Sequence, residues 1–270
     1  MKFDAKNIVI IILIILIIFS VGFIAVNLLN NDSNSKDGSF LLEDDASKKD
    51  SFSINQTYPE GPTSEAKIDS SAVPSELIGS NSLGTVEVLG PFGNADSDVR
   101  IAYLIGMHPL ESKAHKALFD TVVSKNDSLS YCYYVYKINV SSPDDEEGRM
   151  NGQLLAQEFL APEVISQNYD LVVDVHGNNG MIGGTYEQAN FIFATGQDKK
   201  SEDIVYKLLS KLDKLVYYFP AQQSSPPYIT LPVEQSGTPT INYETYNYEP
   251  MSTTYELMND FVDEVDKLEF

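Results

Sequence analysis

The chain has 270 residues, enough for one sizeable domain with an anchor and a linker, and cramped for two large domains. Its formal net charge of −21 repels phosphate backbones and anionic headgroups, which argues against nucleic acid as a partner and against broad electrostatic attachment to lipid. One cysteine, Cys132, leaves no intramolecular disulfide framework, and its apolar, tyrosine-rich surroundings read as those of a buried small hydrophobe.

Residues 8–26 contain no charge and no proline. A helix crosses a bilayer with about 20 apolar residues, and a cleavable signal peptide usually has a shorter apolar region of about 7–15. The run therefore reads as a signal anchor, with residues 1–30 forming an N-terminal transmembrane helix and its flanks. Lys2 and Lys6 precede the span, so the positive-inside tendency keeps the N-terminus in the cytoplasm and the rest of the chain outside the cell membrane. Residues 31–75 are rich in Ser, Asp, Asn, Lys and Glu and carry too little apolar surface to offset the entropy of ordering. A flexible polar stalk over 31–80 follows, with the folded domain over 81–270.

Strand and helix signals then alternate. Residues 85–89 and 101–107 read as strands, separated by a turn with Pro91, Gly93 and Asn94. Ala114, Ala117, Leu118, Thr121 and Val122 fall at helical spacing. Residues 131–138 read as a strand, and Met150, Leu154, Leu155 and Phe159 mark a helix face. Residues 171–175 form a short apolar run of the kind a buried central strand shows. Residues 191–194 make another strand, and Ile204, Val205, Leu208, Leu209 and Leu212 a helix with Ser201 at its cap. Residues 215–219 read as a strand, the stretch to about 238 as a loop, and 240–244 as the last strand. A final helix carries Leu257, Met258, Phe261, Val262, Val265 and Leu268 on one face, with Thr253 and Glu256 at capping-box spacing. Such alternation implies an α/β sheet with helices on both faces.

Three segments carry chemistry. In the first, an apolar strand ends at His108, and a turn at Pro109 and Leu110 brings Glu111 back towards the imidazole. A nitrogen and an oxygen donor of this kind suit zinc, and the carboxyl ends of strands are where α/β sheets bind ligands. In the second, the apolar strand ends at His176, with a glycine-rich turn behind it. If the two strands are parallel neighbours, both histidines share one sheet edge, and two His with one Glu is the ligand set of several catalytic zinc sites. In the third, a strand carries Glu244, a candidate general base for water activated by a metal. Asp174 lies two residues before His176 on the same strand face, placed either to accept a hydrogen bond from that imidazole or to bind backbone amides. His115, the one remaining histidine, reads as a surface or rim residue beside Lys113 and Lys116. Asn178 and Asn179 read as turn residues.

The order H-x-x-E, then a strand ending in D-x-H-G, then a glutamate on a late strand resembles the zinc carboxypeptidase superfamily. That superfamily includes the M14 metallocarboxypeptidases and the succinylglutamate desuccinylase/aspartoacylase branch. The resemblance covers roughly residues 85–270. It implies a three-layer α/β/α sandwich with a mixed, mostly parallel sheet, one Zn2+ per chain held by His108, Glu111 and His176, and Glu244 as general base. The family also uses arginines on the scissile carbonyl and on substrate carboxylates, and Arg149 is the residue placed for such a role. The expected activity is hydrolysis of a peptide or amide bond, with a peptide, a cell-wall peptide or an N-acyl amino acid as substrate and the bilayer met through residues 8–26. Two rivals stay open at this point: an aspartoacylase-like deacylase of small N-acyl amino acids, and a non-catalytic surface binding module on a degenerate peptidase scaffold.

Overall fold

The computed structural model describes residues 73–143, 145–181, 186–196 and 198–270. The apolar run at 8–26 and residues 31–72 of the polar segment lie outside them. Among the described residues, no helix is long and apolar enough to cross a membrane.

One eight-stranded sheet runs through the folded unit in the order β1-β2-β4-β3-β5-β8-β6-β7. Its strands are β1 (Ser75–Asn81), β2 (Gly84–Gly93), β3 (Arg100–Ile105), β4 (Cys132–Val140), β5 (Leu171–Asn178), β6 (Phe191–Ala194), β7 (Val216–Tyr217) and β8 (Thr240–Tyr246). β4, β3, β5 and β8 are mutually parallel neighbours, and β6–β7 is a further parallel pair. β1–β2, β2–β4 and β6–β8 are antiparallel. The sheet is thus mixed, with helices on both faces.

Strand periodicity sorts the core into two halves. Ile101, Tyr103 and Ile105 face the same side as Leu171, Val173 and Val175, where they meet α1 (Ser112–Ser124), α4 (Lys199–Leu209) and α6 (Met251–Val265). Ala102, Leu104 and Val172 face the other side. There they meet α2 (Asp145–Leu155), a π turn (Ala156–Leu160) and α3 (Ala161–Ser166), which run on from one another, and α5 (Thr230–Gln235). α1 buries the five residues that its spacing picks out, and His115 with them.

Several expectations need correction. Residues 75–80, assigned to the stalk, belong to edge strand β1, which a two-residue turn joins to β2. Its mostly exposed, polar side chains hide a backbone that pairs over most of its length. Pro91 and Gly93 lie inside β2 at an irregularity in its pairing with β4, not in a turn between strands. The 215–219 segment contributes only two strand residues. The 226–238 loop contains a 3-10 turn and α5, which bury Ile229 and Val233. α4 is capped by Asp198, which accepts from the Ser201 amide at 3.0 Å; Ser201 lies inside the helix and its hydroxyl accepts from the Thr240 amide. α6 starts at Met251, so Thr253 and Glu256 are helix residues and no side chain caps it.

The largest correction concerns α2. Of the four residues read as its face, Leu155 is buried and Phe159 packs against the core, but Met150 and Leu154 are 45% and 38% exposed; the rest of the inward stripe is Gly152, Gln153 and Ala156, with Arg149 at its edge. These positions follow i, i+3, i+4, i+7. Gly152 lies so close to the loop before His108 that an added Cβ would overlap the Met107 carbonyl oxygen.

Helix propensity alone favours Gly152→Ala by about 1 kcal/mol. Overlap with backbone, which cannot rotate away, costs about 1–3 kcal/mol and has to win if the helix abuts the loop. Urea denaturation of Gly152→Ala is therefore expected to show net destabilisation, and a stabilised variant would contradict this packing.

Candidate metal centre

β3 ends at Ile105, and Gly106 turns the chain with φ of +88° beside the Ile138 carbonyl, a conformation L side chains rarely adopt. The turn delivers His108 to the carboxyl edge of the sheet, and a 3-10 turn at Pro109–Glu111 folds Glu111 back over it. β5 is the parallel neighbour of β3 and brings His176 to the same edge. His108, Glu111 and His176 are 2%, 8% and 3% exposed, and one donor atom from each lies within 4.8 Å of the others.

The Glu111 carboxylate is the hub. Its Oε1 lies 2.9 Å from His108 Nδ1 and 3.1 Å from Arg149 Nη1. Its Oε2 lies 2.9 Å from His176 Nδ1 and accepts from the Gly177 amide at 3.1 Å. Burial alone would raise the pKa of this carboxyl, but the two imidazoles outweigh it and hold the group well below its ordinary value. Burial also pushes the His108 pKa down, while Asp174 and Glu111 together overcome the same effect at His176 and raise it. The donors are two nitrogens and one oxygen, buried and convergent, which fits a first-row divalent cation.

Behind the donors stand groups facing the outer ring nitrogens. Asp174 Oδ2 is 2.9 Å from His176 Nε2. That contact is close enough for strong ionic attraction, but neither atom has a hydrogen bond, so the approach is off the N–H direction. Asp174 thus lies against the imidazole, without the hydrogen bond that the first of its two readings expects. The Gln153 amide nitrogen sits 3.3 Å from His108 Nε2.

Glu244 stands opposite His176 in the β5–β8 register, so both side chains leave the sheet on one face. It is 6% exposed and lines a cavity of about 350 Å3 with Glu111, Arg149, Asn178 and Tyr186 among its walls. Its pKa is pushed up to about 8, first by burial and then by the nearby Glu111 and Asp174 carboxylates, against the pull of His176 and of the Asn178 amide. Asn178 donates to Glu244 Oε2 at 3.2 Å and its Oδ1 accepts from the Gly180 amide, so it builds the turn and also orients the glutamate.

Arg149 reaches the site from α2, with Nη1 on Glu111 and its Nε and Nη2 on Ser224 Oγ at 3.3 and 3.1 Å. His115 is a correction: it is buried under α1, and its Nε2–H donates to the Val175 carbonyl at 3.1 Å. Burial drives its pKa down to about 4, so it is a neutral tie between α1 and β5. Arg100 makes no ion pair among the described residues; it donates to the Gln167 carbonyl at 2.6 Å and stacks over Tyr134 and Tyr169.

Gln153, Ser224 and Tyr186 are the site residues that sequence reasoning missed. For Gln153 a signal existed, since it lies four residues after Arg149 and so shares its helix face. Ser224 and Tyr186 sit in irregular segments where no periodicity points to a direction.

No family model and no curated protein sequence matches the chain. Its structural neighbours are metallo-carboxypeptidase-like proteins. A metallo-carboxypeptidase of Burkholderia cenocepacia is 10% identical, with 72% of this chain and 64% of that one covered at a TM-score of 0.49. A metallo-carboxypeptidase of Pseudomonas aeruginosa, solved with (2-guanidinoethylmercapto)succinic acid, is 14% identical, with 72% and 64% covered at 0.46. The cell shape determinant Csd4 of Helicobacter pylori, solved with a tripeptide, is 11% identical, with 72% and 54% covered at 0.45. The chain spans less than two thirds of the length of each of these three.

The raised Glu244 pKa has a signed consequence for stability. The folded carboxyl titrates above its ordinary 4.5, so its contribution is fully present below about 4.5 and is lost as pH rises through about 8. Glu244→Gln removes the titration. In metal-free protein, its melting temperature should match the parent's at pH 4 and exceed it increasingly up to pH 9, by an amount equivalent to roughly 2–5 kcal/mol. A pH-independent difference would contradict the buried placement.

Proposed function

We propose that this chain is a membrane-anchored, outward-facing, zinc-dependent hydrolase of a peptide or amide bond. The observation that carries the reading is the convergence of His108, Glu111 and His176 at one sheet edge, with Glu244 in register with His176 on the adjoining strand. Two imidazoles and a carboxylate favour zinc, and Glu111 lines the same cavity as Glu244. When bound, the cation supplies Lewis acidity that polarises a carbonyl and makes water a competent nucleophile near neutral pH.

The chain's own residues do the rest. Glu244 takes the proton of the attacking water on a carboxylate oxygen and passes it to the amine nitrogen as the C–N bond breaks. A divalent charge nearby favours the ionised form that this role needs. Asn178 holds one Glu244 oxygen, leaving the other free to receive the proton. Arg149, pinned on one edge by Ser224, presents its remaining donors to the developing oxyanion or to a substrate carboxylate.

The apolar run at 8–26, preceded by Lys2 and Lys6, supports an anchor with the N-terminus inside and the catalytic domain outside. Peptides, including cell-wall peptides, are the substrates such an orientation would meet. One observation favours the deacylase reading as a second choice. The cavity of about 350 Å3 is near the lower end of ligand sites, which run from about 300 to 1,000 Å3. That size suits a small N-acyl amino acid.

The test is metal content and turnover of the purified full-length chain. The parent is expected to hold about one zinc and the His108→Ala/His176→Ala double variant almost none. Glu244→Gln should keep the metal and lose about 10²–10⁴-fold in hydrolysis across panels of peptides and N-acyl amino acids. A parent that folds but takes up no zinc would overturn the hydrolase reading. Zinc without turnover of any panel member would leave the binding module.

A further inference from the structure

Arg149, Ser224, Gln153 and His108 form a continuous polar chain from the cavity to the rear of the metal centre. Ser224 Oγ faces Arg149 Nε and Nη2 at 3.3 and 3.1 Å and the Gln153 amide terminus at 3.0 Å. That same amide terminus faces His108 Nε2 at 3.3 Å. Gln153 is 1% exposed, so it must find its partners within the protein.

With nitrogen at that amide position, the hydrogen bonds do not balance. Ser224 Oγ would take three N–H donors on two lone pairs. The His108 side conflicts as well. His108 Nδ1 is the atom that faces Glu111. A neutral imidazole that gives Nδ1 to a cation carries its proton on Nε2, where it needs an acceptor. Two N–H groups would then point at each other.

Turning the Gln153 amide by half a rotation removes both conflicts, because its oxygen and nitrogen occupy equivalent positions. Gln153 Oε1 then accepts from His108 Nε2–H and from the Ser224 hydroxyl. Ser224 in turn accepts from Arg149 with its lone pairs. That satisfies His108 Nε2–H and the Ser224 hydroxyl, and the Gln153 amide nitrogen takes the former oxygen position, which has no hydrogen bond among the described residues.

We infer that Gln153 and Ser224 are positioning residues that tie the guanidinium of Arg149 to the imidazole of His108, with Gln153 accepting from His108 Nε2–H in the metal-loaded protein. This rests on the metal-site reading above. The arrangement fixes the His108 ring with Nδ1 towards Glu111 and the Arg149 edge towards the cavity, so the metal ligand and the cationic group are oriented by one network. Gln153 is thus the counterpart, at His108, of the Asp174 carboxylate behind His176.

The experiment is zinc titration of the full-length chain against a chromophoric chelator, for the parent, Gln153→Met, Gln153→Glu, Ser224→Ala and the Gln153→Met/Ser224→Ala pair. Methionine keeps the length and removes the acceptor, so affinity is expected to fall about 10- to 100-fold. Glutamate, which only accepts, should retain affinity at or above the parent's. Ser224→Ala, at the exposed rim, should weaken zinc binding several-fold in the parent background and not at all beside Gln153→Met, since it acts through the amide. Gln153→Met binding zinc like the parent overturns the inference, and so does Gln153→Glu binding as weakly as Gln153→Met. If Gln153→Met does not fold, Gln153→Glu and Ser224→Ala decide: lost affinity in the first or unchanged affinity in the second overturns it. A parent that binds no zinc fails the metal-site reading itself, whereas a zinc-binding parent with an indifferent Gln153→Met fails only the relay.

Discussion

Glu111 places an ionised carboxylate where water hardly reaches, and much of the surrounding architecture answers that cost. An unpaired buried charge is penalised by several kcal/mol, so such a group persists only where donors converge on it. Here four do: two imidazoles, a guanidinium and the backbone amide of Gly177. They arrive from β3's exit loop, β5 and α2, so packing the sheet and satisfying the carboxylate are the same event. Negative charge gathered with two nitrogen donors in a low-dielectric pocket is also what a divalent cation needs.

The same need explains why α2 turns Gly152 and Gln153 inward beside Leu155. Arg149, Gly152 and Gln153 would be poor core residues in an ordinary helix. Beside the metal centre each has a distinct use: charge towards the cavity, backbone-to-backbone approach at Met107, and a buried amide behind His108. The π turn at Ala156–Leu160 follows immediately. It adds a residue to the helical repeat, and the core-facing residues from its end onward are apolar: Leu160, Ala161 and Val164.

How far the sequence could be read follows from this. Strands β3, β5 and β6 were legible because strands buried on both faces leave nearly continuous apolar runs, and β8 because Ile241 and Tyr243 alternate with polar residues. His108 and His176 were legible because each closes such a run, in a chain with only three histidines. α2 was read only in part, since Leu155 and Phe159 pack inward as their spacing suggests, while Met150 and Leu154 lie outside and Gly152 and Gln153 take the inward places. β1 was hidden because an edge strand contributes backbone more than side chains, and α5 because a six-residue helix interrupted by Pro232 carries almost no periodic signal. His115 looked like a rim residue between two lysines, and only the packing of α1 on β5 reveals the carbonyl it meets. Gln153 and Ser224 are joined by tertiary folding across a long stretch of chain, which no local pattern records.

The pairing of His176 with Glu244 separates catalytic spacing from loop length. The gap between these two side chains is set by the distance between adjacent hydrogen-bonded strands, close to 4.8 Å and stiff. The chain between them wanders through β6, α4, β7 and α5 before returning, and none of that detour enters the measurement. Segments between these elements can thus lengthen, shorten or be exchanged without altering the spacing of His176 and Glu244. What such changes would alter is the outline of the opening, so the periphery of this scaffold can be remodelled while the cluster at its sheet edge stays in place.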